Sequence, residues 1–508
     1  MSPMAVVKKT FAAIFIACVL FYYAWLMGTN LCTAAGGSDS SGYLNFAHRL
    51  TNGPLVGSVK AVETLGLGEE FRPLFQPIGF TRGPRDQTIA PAYPPGLPLH
   101  MAASAAILGW KIGPFLVSPL AALAGLFLIY GLARQLGLSK PLSLAGGCVL
   151  ASFPAYLFIA VQPLSDVLAS FWGMLAVLAA LLSRKRAGWA WAAGAAFGLG
   201  VLVRPSNLLI LFPLLWALPP KPKIFLKFFM GGLFFGIVQI FFNRVLYGSV
   251  FTTGYREEAA GAFALRNIPV LFLYFGRWLF RMLTPLVPLA WPALVADRNV
   301  PRRDRLLLVF WFAPFLVFYG LYQPFESWTF VRFLLPALPA LILSFLLVLR
   351  DGTDCALKKI RSIRFRDSRT REILAWVPKI AAGLLVVMIL RAEIGQVRKL
   401  RLLDVNEFES VYEQSCLAVK SRLPETSILV SGQLSGALTY YTRFPICLWD
   451  SLKPPSFSLL QQKAALHGWS LYALLFPSEE KEFQGFAPGA WEKIENYRFV
   501  SLWQCRLK

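Results

Sequence analysis

Apolar runs long enough to enter a bilayer recur from residue 11 to about residue 390, and the loops between them differ sharply in charge. In lipid such a run must satisfy its own backbone N–H and C=O groups, which leaves a helix for each of them. With Lys8 and Lys9 in the cytoplasm and one crossing per run, the basic clusters at 134–140, 183–186, 221–227, 298–305 and 350–371 all reach the cytoplasmic side, as the positive-inside bias requires. The crossings are read at 11–28, 113–133, 142–161, 167–182, 189–203, 207–218, 224–247, 270–296, 306–322, 330–349 and 373–390. The expectation is a polytopic α-helical membrane protein of roughly eleven spans, several of them near Arg204-Pro205 shorter than the ~20 residues of a perpendicular crossing. Residues 97–108 are apolar but short, and counting them as a crossing would reverse every later basic loop. They read as a re-entrant or surface helix.

The chain has 508 residues, 56% hydrophobic and 15% charged, with a formal net charge of +23. Because the cytoplasmic loops account for much of that charge, nucleic-acid binding is not needed to explain it. A cleaved signal peptide would be followed by soluble composition; here the apolar runs continue, and 11–28 reads as a retained signal anchor. Seven cysteines show no CxxC pair, and the three histidines, His48, His100 and His467, are far apart. A zinc site of ordinary spacing is therefore not expected. Cys32, Cys416, Cys447 and Cys505 fall on the outer side, where Cys416 has Cys447 or Cys505 as a candidate disulfide partner.

Two segments outside the bilayer are long. The first external loop, 29–98, has a short helix at 43–50 whose Leu44, Phe46, Ala47 and Leu50 would face lipid while Asn45, His48 and Arg49 face water. From 391 to 508 the composition is that of a soluble segment: a helical period over 407–422 and buried-strand patterns at 427–431, 445–449 and 471–476 imply a small α/β domain. It contains no glycine-rich phosphate loop. The division expected is thus a membrane part, 1–390, and an extracytoplasmic α/β part, 391–508.

With this topology the outward loops collect acids and arginines: Asp39, Asp166, Arg204, Arg244, Arg256, Glu326 and Arg332. Acids and guanidiniums at a membrane face, beside apolar helices, suit an anionic lipid head group. Cations would hold a phosphate, and a carboxylate would activate a hydroxyl or hold a divalent cation, the candidate cofactor. Arg204, Arg244, Arg256 and Arg332 are the candidate phosphate contacts. Each residue also has a plain structural reading. Asp39 among Gly and Ser, and Asp166 at a helix start, are common capping residues; the arginines can snorkel; Glu326 can be a solvated loop acid. The abundant Phe and Trp residues read as lipid-facing and interfacial packing rather than a sugar-stacking platform.

The motifs in chain order are GSDSSGY at 37–43, YPPG at 93–96, PLSD at 163–166, RP at 204–205, YGSVFTTGY at 247–255, RFLLPALP at 332–339 and SGQLSGALTYYTRFPICLWD at 431–450. Their series resembles the bacterial membrane glycosyltransferases of the GT-C superfamily, the group that includes protein O-mannosyltransferases and aminoarabinose transferases. The resemblance implies a polyprenyl-phosphate-linked sugar donor and a membrane lipid, glycan or protein acceptor. It also implies transfer with inversion at the outer face of a bacterial inner membrane, with the N-terminus cytoplasmic and the terminal segment periplasmic or extracellular. Asp39 matches the family's first-loop catalytic acid and Asp166 its second-loop acid, with Tyr43, Tyr93 and Glu326 expected around the substrate. Many relatives place a second acid beside the first, whereas Ser38 and Ser40 flank Asp39 here. A transporter or flippase of lipid-linked sugars is the rival reading; it predicts charges near the bilayer midplane and internal repeats, and no convincing repeat is present.

Overall fold

The computed structural model describes residues 3–255, 261–297, 299–363 and 368–506. Among the described residues four helices are long and apolar enough to cross a membrane: Gly113–Gln135, Ser165–Leu182, Pro222–Tyr247 and Arg369–Lys399. Three more candidates are bent pairs, which raises the number to seven by length and composition. The crossing read at 142–161 is Lys140–Ser152 followed at 64° by Pro154–Ala160. The one at 270–296 turns through 111° between Leu283 and Leu286, and that at 330–349 is a 3₁₀ turn, Trp328–Leu334, set at 78° to Leu338–Ser362. Proline explains these corrections. Pro154, Pro285 and Pro336 stand in or beside the breaks, where each lacks the N–H that would continue the ladder and crowds the preceding turn.

The short apolar pieces are packed helices. Trp189–Val203 has 15 residues, about 22 Å at 1.5 Å per residue and less than a ~30 Å hydrocarbon core. Its small face lies against Pro222–Tyr247 so closely that a Cβ on Gly194 would stand 1.8 Å from the Phe228 carbonyl oxygen, and one on Gly231 2.3 Å from that of Trp191. Where lipid offers no hydrophobic drive, such backbone approach is what joins helices. Gly96–Leu108 runs beside Ser38–Asn52: Tyr93 just before it stacks on Tyr43, and Trp110 just after it meets His48, which also meets Tyr440. Both ends of this helix thus lie against the elements outside the bundle.

The first loop is a built layer. It holds Ser38–Asn52, a 3₁₀ turn Glu69–Phe75 and a small antiparallel sheet of β1 (Gly57–Ser58), β2 (Phe80–Arg82) and β3 (Thr88–Pro91) in the order β1-β3-β2. The Ser38–Asn52 helix differs from the interfacial helix expected: Leu44, Phe46, Ala47 and also Asn45 are buried within the protein. Asn45 Nδ2 donates to the Gly436 carbonyl at 2.9 Å, so another protein layer, not lipid and water, covers this helix.

That layer is a five-stranded sheet of β4 (Ser427–Ser431), β5 (Ile446–Leu448), β6 (Ser470–Leu475), β7 (Trp491–Tyr497) and β8 (Val500–Cys505), ordered β5-β4-β6-β8-β7. β4, β5 and β6 are parallel, and β8 and β7 extend the sheet antiparallel. The period of two is visible in β4. Leu429 joins helices Val405–Arg422 and Ser435–Tyr441 on one face, while Ile428 and Val430 join Pro454–Leu466 on the other. On this second face Val62, Leu65, Phe71, Leu74, Phe75 and Phe80 of the first loop share the same core, so the two extramembrane segments fold as one layer across the chain's length. All seven cysteines are free. Cys416 packs on one face of the sheet and Cys447 on the other, which keeps that candidate pair apart.

Candidate functional site

Asp39 is the second residue of Ser38–Asn52, in the first turn rather than at the cap, which is Gly37. There the helix dipole favours a negative charge. The loop before it is tied to the sheet layer: Gly37 N–H donates to Glu409 Oε2 at 3.0 Å and Ala35 N–H to Tyr441 Oη at 2.9 Å. Both carboxylate oxygens of Asp39 are engaged. Tyr93 Oη donates to Oδ1 at 2.7 Å and Arg332 Nη2 to Oδ2 at 2.5 Å. Burial alone would push the Asp39 carboxyl up; the Arg332 guanidinium, the Tyr93 hydroxyl and the charge of Arg204 outweigh it and hold the group below the usual carboxylate range. Burial and the adjacent carboxylate raise the Tyr93 phenol well above its ordinary value, so it stays a donor.

A second ion pair stands behind the first. Arg204, the residue after Trp189–Val203, is held by Asp166 in the first turn of Ser165–Leu182. Tyr43 Oη donates to Ser165 Oγ at 2.9 Å and so joins the Asp39 helix to the Asp166 helix. Phe333 is wedged between the cations, its ring 4.8 Å from the Arg204 guanidinium carbon and 5.6 Å from that of Arg332. The sequence motifs meet through glycine. A Cβ on Gly42 would lie 2.2 Å from the Tyr93 ring, one on Gly96 2.3 Å from the Val203 backbone nitrogen, and one on Gly254 2.0 Å from the Ala92 carbonyl oxygen. The first helix, the YPPG turn, the RP step and the TTGY loop thus meet at distances no side chain would permit.

These elements surround a cavity of about 700 Å³. Asp39, Tyr43, Tyr93, Arg204 and Arg332 all line it, five of the residues the sequence singled out. Asp166 does not: its side chain is 2% exposed and meets the cavity only through Arg204. Asp166 thus stands behind Arg204 rather than among the residues lining the cavity. Arg244 is exposed and caps its own helix at the Gly248 carbonyl, and Glu326 is an exposed loop residue; neither lines the cavity. Arg256 lies outside the described residues. Among the described residues no group of three His, Cys, Asp or Glu side chains gathers, and Asp39 and Asp166 are each paired with a guanidinium.

Sequence reasoning missed one wall and one lid. The wall is aromatic: Phe263, Phe318, Tyr319, Tyr322, Phe330 and Phe333, its phenylalanines read from sequence as lipid-facing because an aromatic run at a membrane edge has the same composition in either role. The lid is Gln433 and Leu448, at the ends of β4 and β5; the motif at 431–450 contained both, with nothing in its pattern to say which would face a cavity. Chemically, the site offers one ionised carboxylate, two guanidiniums set close to it and an apolar wall, an arrangement able to hold an anion beside a proton acceptor.

No family model matches the sequence, and no curated protein matches it. The structure is similar to that of ArnT from Cupriavidus metallidurans bound to undecaprenyl phosphate, with 13% identity, a TM-score of 0.58 and coverage of 97% of this chain and 98% of that one. The apo form of the same protein gives 14% identity, a TM-score of 0.53 and 98% coverage of each chain. The archaeal oligosaccharyltransferase AglB from Archaeoglobus fulgidus, in complex with an inhibitory peptide and a dolichol-phosphate, gives 13% identity and a TM-score of 0.51 over 92% of this chain and 70% of its own. Across nearly the whole of its length, this chain shares its fold with these ArnT and AglB structures.

Proposed function

We propose that the protein transfers a monosaccharide from a polyprenyl-phosphate donor to an acceptor hydroxyl, with Asp39 as general base. The observation that carries this reading is a carboxylate engaged by Arg332 within a cavity of about 700 Å³ that is also lined by Arg204 and an aromatic wall. Similarity to structures that hold undecaprenyl phosphate and dolichol-phosphate supports a lipid-phosphate donor.

In the donor-free state Asp39 is a weak base, because both its oxygens accept charge-assisted or phenolic hydrogen bonds. A donor phosphate entering beside Arg204 and Arg332 competes for the same guanidinium. As Arg332 turns toward phosphate, Asp39 loses its strongest partner and its affinity for a proton rises. The acceptor oxygen then attacks the sugar's C1 while Asp39 takes the hydroxyl proton; the C1–O bond to phosphate breaks, its electron pair stays on the phosphate oxygen, and configuration inverts. Arg204 and Arg332 stabilise the charge that develops on the leaving phosphate. Tyr93 keeps Asp39 oriented throughout, and Asp166 keeps Arg204 in place.

The test is release of free polyprenyl phosphate by purified protein in lipid, supplied with a mixed extract of polyprenyl-linked sugars and membrane acceptors, beside Asp39→Asn. Release by the wild type that is lost in the folded variant supports the reading. Equal release from both removes Asp39 from the chemistry. No release from either, when a control transferase is active on the same extract, favours transport of the lipid-linked sugar.

A further inference from the structure

The parallel strands β5, β4 and β6 lie in that order, so the connections from β4 to β5 and from β5 to β6 diverge around β4. In open α/β sheets the crevice outside the carboxyl ends of the strands, at such a switch point, is where ligands bind. Here the crevice is filled by the chain itself. Glu479, 5% exposed, reaches into it from the first turn of Pro477–Phe486. Its Oε1 accepts the Gln433 N–H at 2.9 Å and the Trp449 indole N–H at 3.0 Å, and its Oε2 accepts the Phe476 N–H at 2.9 Å. One buried carboxylate thereby joins the ends of all three parallel strands. Gly432 permits the approach, since a Cβ there would lie 2.3 Å from Glu479 Oε1.

The consequence lies one residue further on. Gln433 has its backbone held by Glu479, yet the residue is exposed and lines the cavity, and its side chain makes no hydrogen bond among the described residues. The other glutamine lining the cavity, Gln76, is already occupied: its Oε1 accepts from Arg72 at 2.9 Å and its Nε2 donates to the Phe80 carbonyl at 3.2 Å. The two guanidiniums and the aromatic wall line the same cavity. A primary amide both donates and accepts, which suits vicinal hydroxyls.

We propose that Gln433 is the hydroxyl-reading residue of the cavity, binding the sugar or acceptor hydroxyls away from the phosphate, and that Glu479 is the positioning residue that holds it there. This rests on the transferase reading above. An amide whose backbone is held in place can pair with a hydroxyl, and a ligand lacking that hydroxyl forfeits the hydrogen bond.

The experiment compares wild type, Gln433→Ala, Glu479→Gln and the double variant in two measurements: affinity for undecaprenyl phosphate, and polyprenyl phosphate release across dilutions of the sugar-donor and acceptor extract. Gln433→Ala is expected to lower release at low extract about tenfold, the size of a single hydrogen bond to a fixed partner. Affinity for undecaprenyl phosphate, which carries no sugar, should stay within about threefold. Glu479→Gln replaces an acceptor oxygen with a donor and should give a smaller shift in apparent KM that does not add to that of Gln433→Ala. Unchanged release in Gln433→Ala overturns the assignment, as does a parallel loss of undecaprenyl phosphate affinity. Full additivity in the double variant overturns the positioning role of Glu479. A wild type that releases nothing sinks the transferase reading itself, whereas release retained in Gln433→Ala sinks this assignment alone.

Discussion

Replacing Asp39 by Asn should make the protein bind lipid phosphate more tightly while nearly abolishing turnover. The amide keeps the shape of the carboxylate and can still accept from Tyr93, but it no longer holds Arg332 by charge. Asp39 is 28% exposed and Arg332 17%, so their pair is partly screened by water in the cavity. At an effective dielectric of about 20 the bare attraction across 4 Å is ~4 kcal/mol, and exposure brings the net value down toward about 1 kcal/mol. That energy opposes phosphate binding in the wild type and disappears in the variant, which predicts an affinity for undecaprenyl phosphate about fivefold tighter. Loss of a general base predicts turnover lower by about 10²–10⁴, which is ~2.7–5.4 kcal/mol of barrier. The two measurements are equilibrium binding of undecaprenyl phosphate to protein in nanodiscs and release of polyprenyl phosphate from the donor extract, each normalised to folded protein. Opposite movement of the two is the signature, because misfolding lowers both. If binding weakens in a folded Asp39→Asn variant, Arg332 does not exchange between carboxylate and phosphate, and the donor-coupled base is wrong.

Four other outcomes are expected. The Asp39 carboxyl is held below its usual range in the folded protein, so the stabilisation it contributes is complete above the unfolded value of about 3.9 and fades as pH falls through the lower folded value; Tyr93→Phe narrows that gap, and acid melts should show its transition beginning at higher pH than the wild type's. Asp166→Asn leaves the Arg204 guanidinium without its buried counter-charge and should cost about 3–5 kcal/mol, read as a lowered Tm together with reduced undecaprenyl phosphate affinity. In Gly96→Ala the new methyl meets backbone at Val203, next to Arg204, where no side-chain rotation can make room; a loss of about 1–3 kcal/mol and a clear fall in release should appear, and wild-type behaviour would show that the approach is not tight. Arg244→Gln and Glu326→Gln, both off the cavity, should release polyprenyl phosphate at the wild-type rate.

The sequence of the chain already contained the membrane class, because the length of an apolar run and the need to satisfy its backbone depend on no distant contact. It also contained β4, β5 and β6, whose short apolar runs are bounded by turns. β7 was not legible: its residues alternate between half-buried and exposed, with Glu492, Lys493 and Glu495 in its midst, and such a strand is specified by its pairing with β8. The bends were hidden for a related reason. A proline near 154, 285 or 336 shows where a helix can break, while the angle depends on what packs against each half. Among the residues lining the cavity, Asp39, Tyr43, Tyr93, Arg204 and Arg332 were readable from charge and motif in the loops that the sequence assigned to one side. Their partition was not. Asp39 lines the cavity and Asp166 stands behind Arg204 because of which guanidinium each acid reaches, and that choice is made by helices far apart in sequence. Gln433 and Glu479 show the same limit: a glutamine in a loop and a glutamate at a helix start are unremarkable residues until the carboxyl ends of three strands are brought together around one of them and the cavity is closed by the other. Local chemistry and segment length are written along the chain; which polar group is buried, paired or left open is settled only when distant segments exclude water from it.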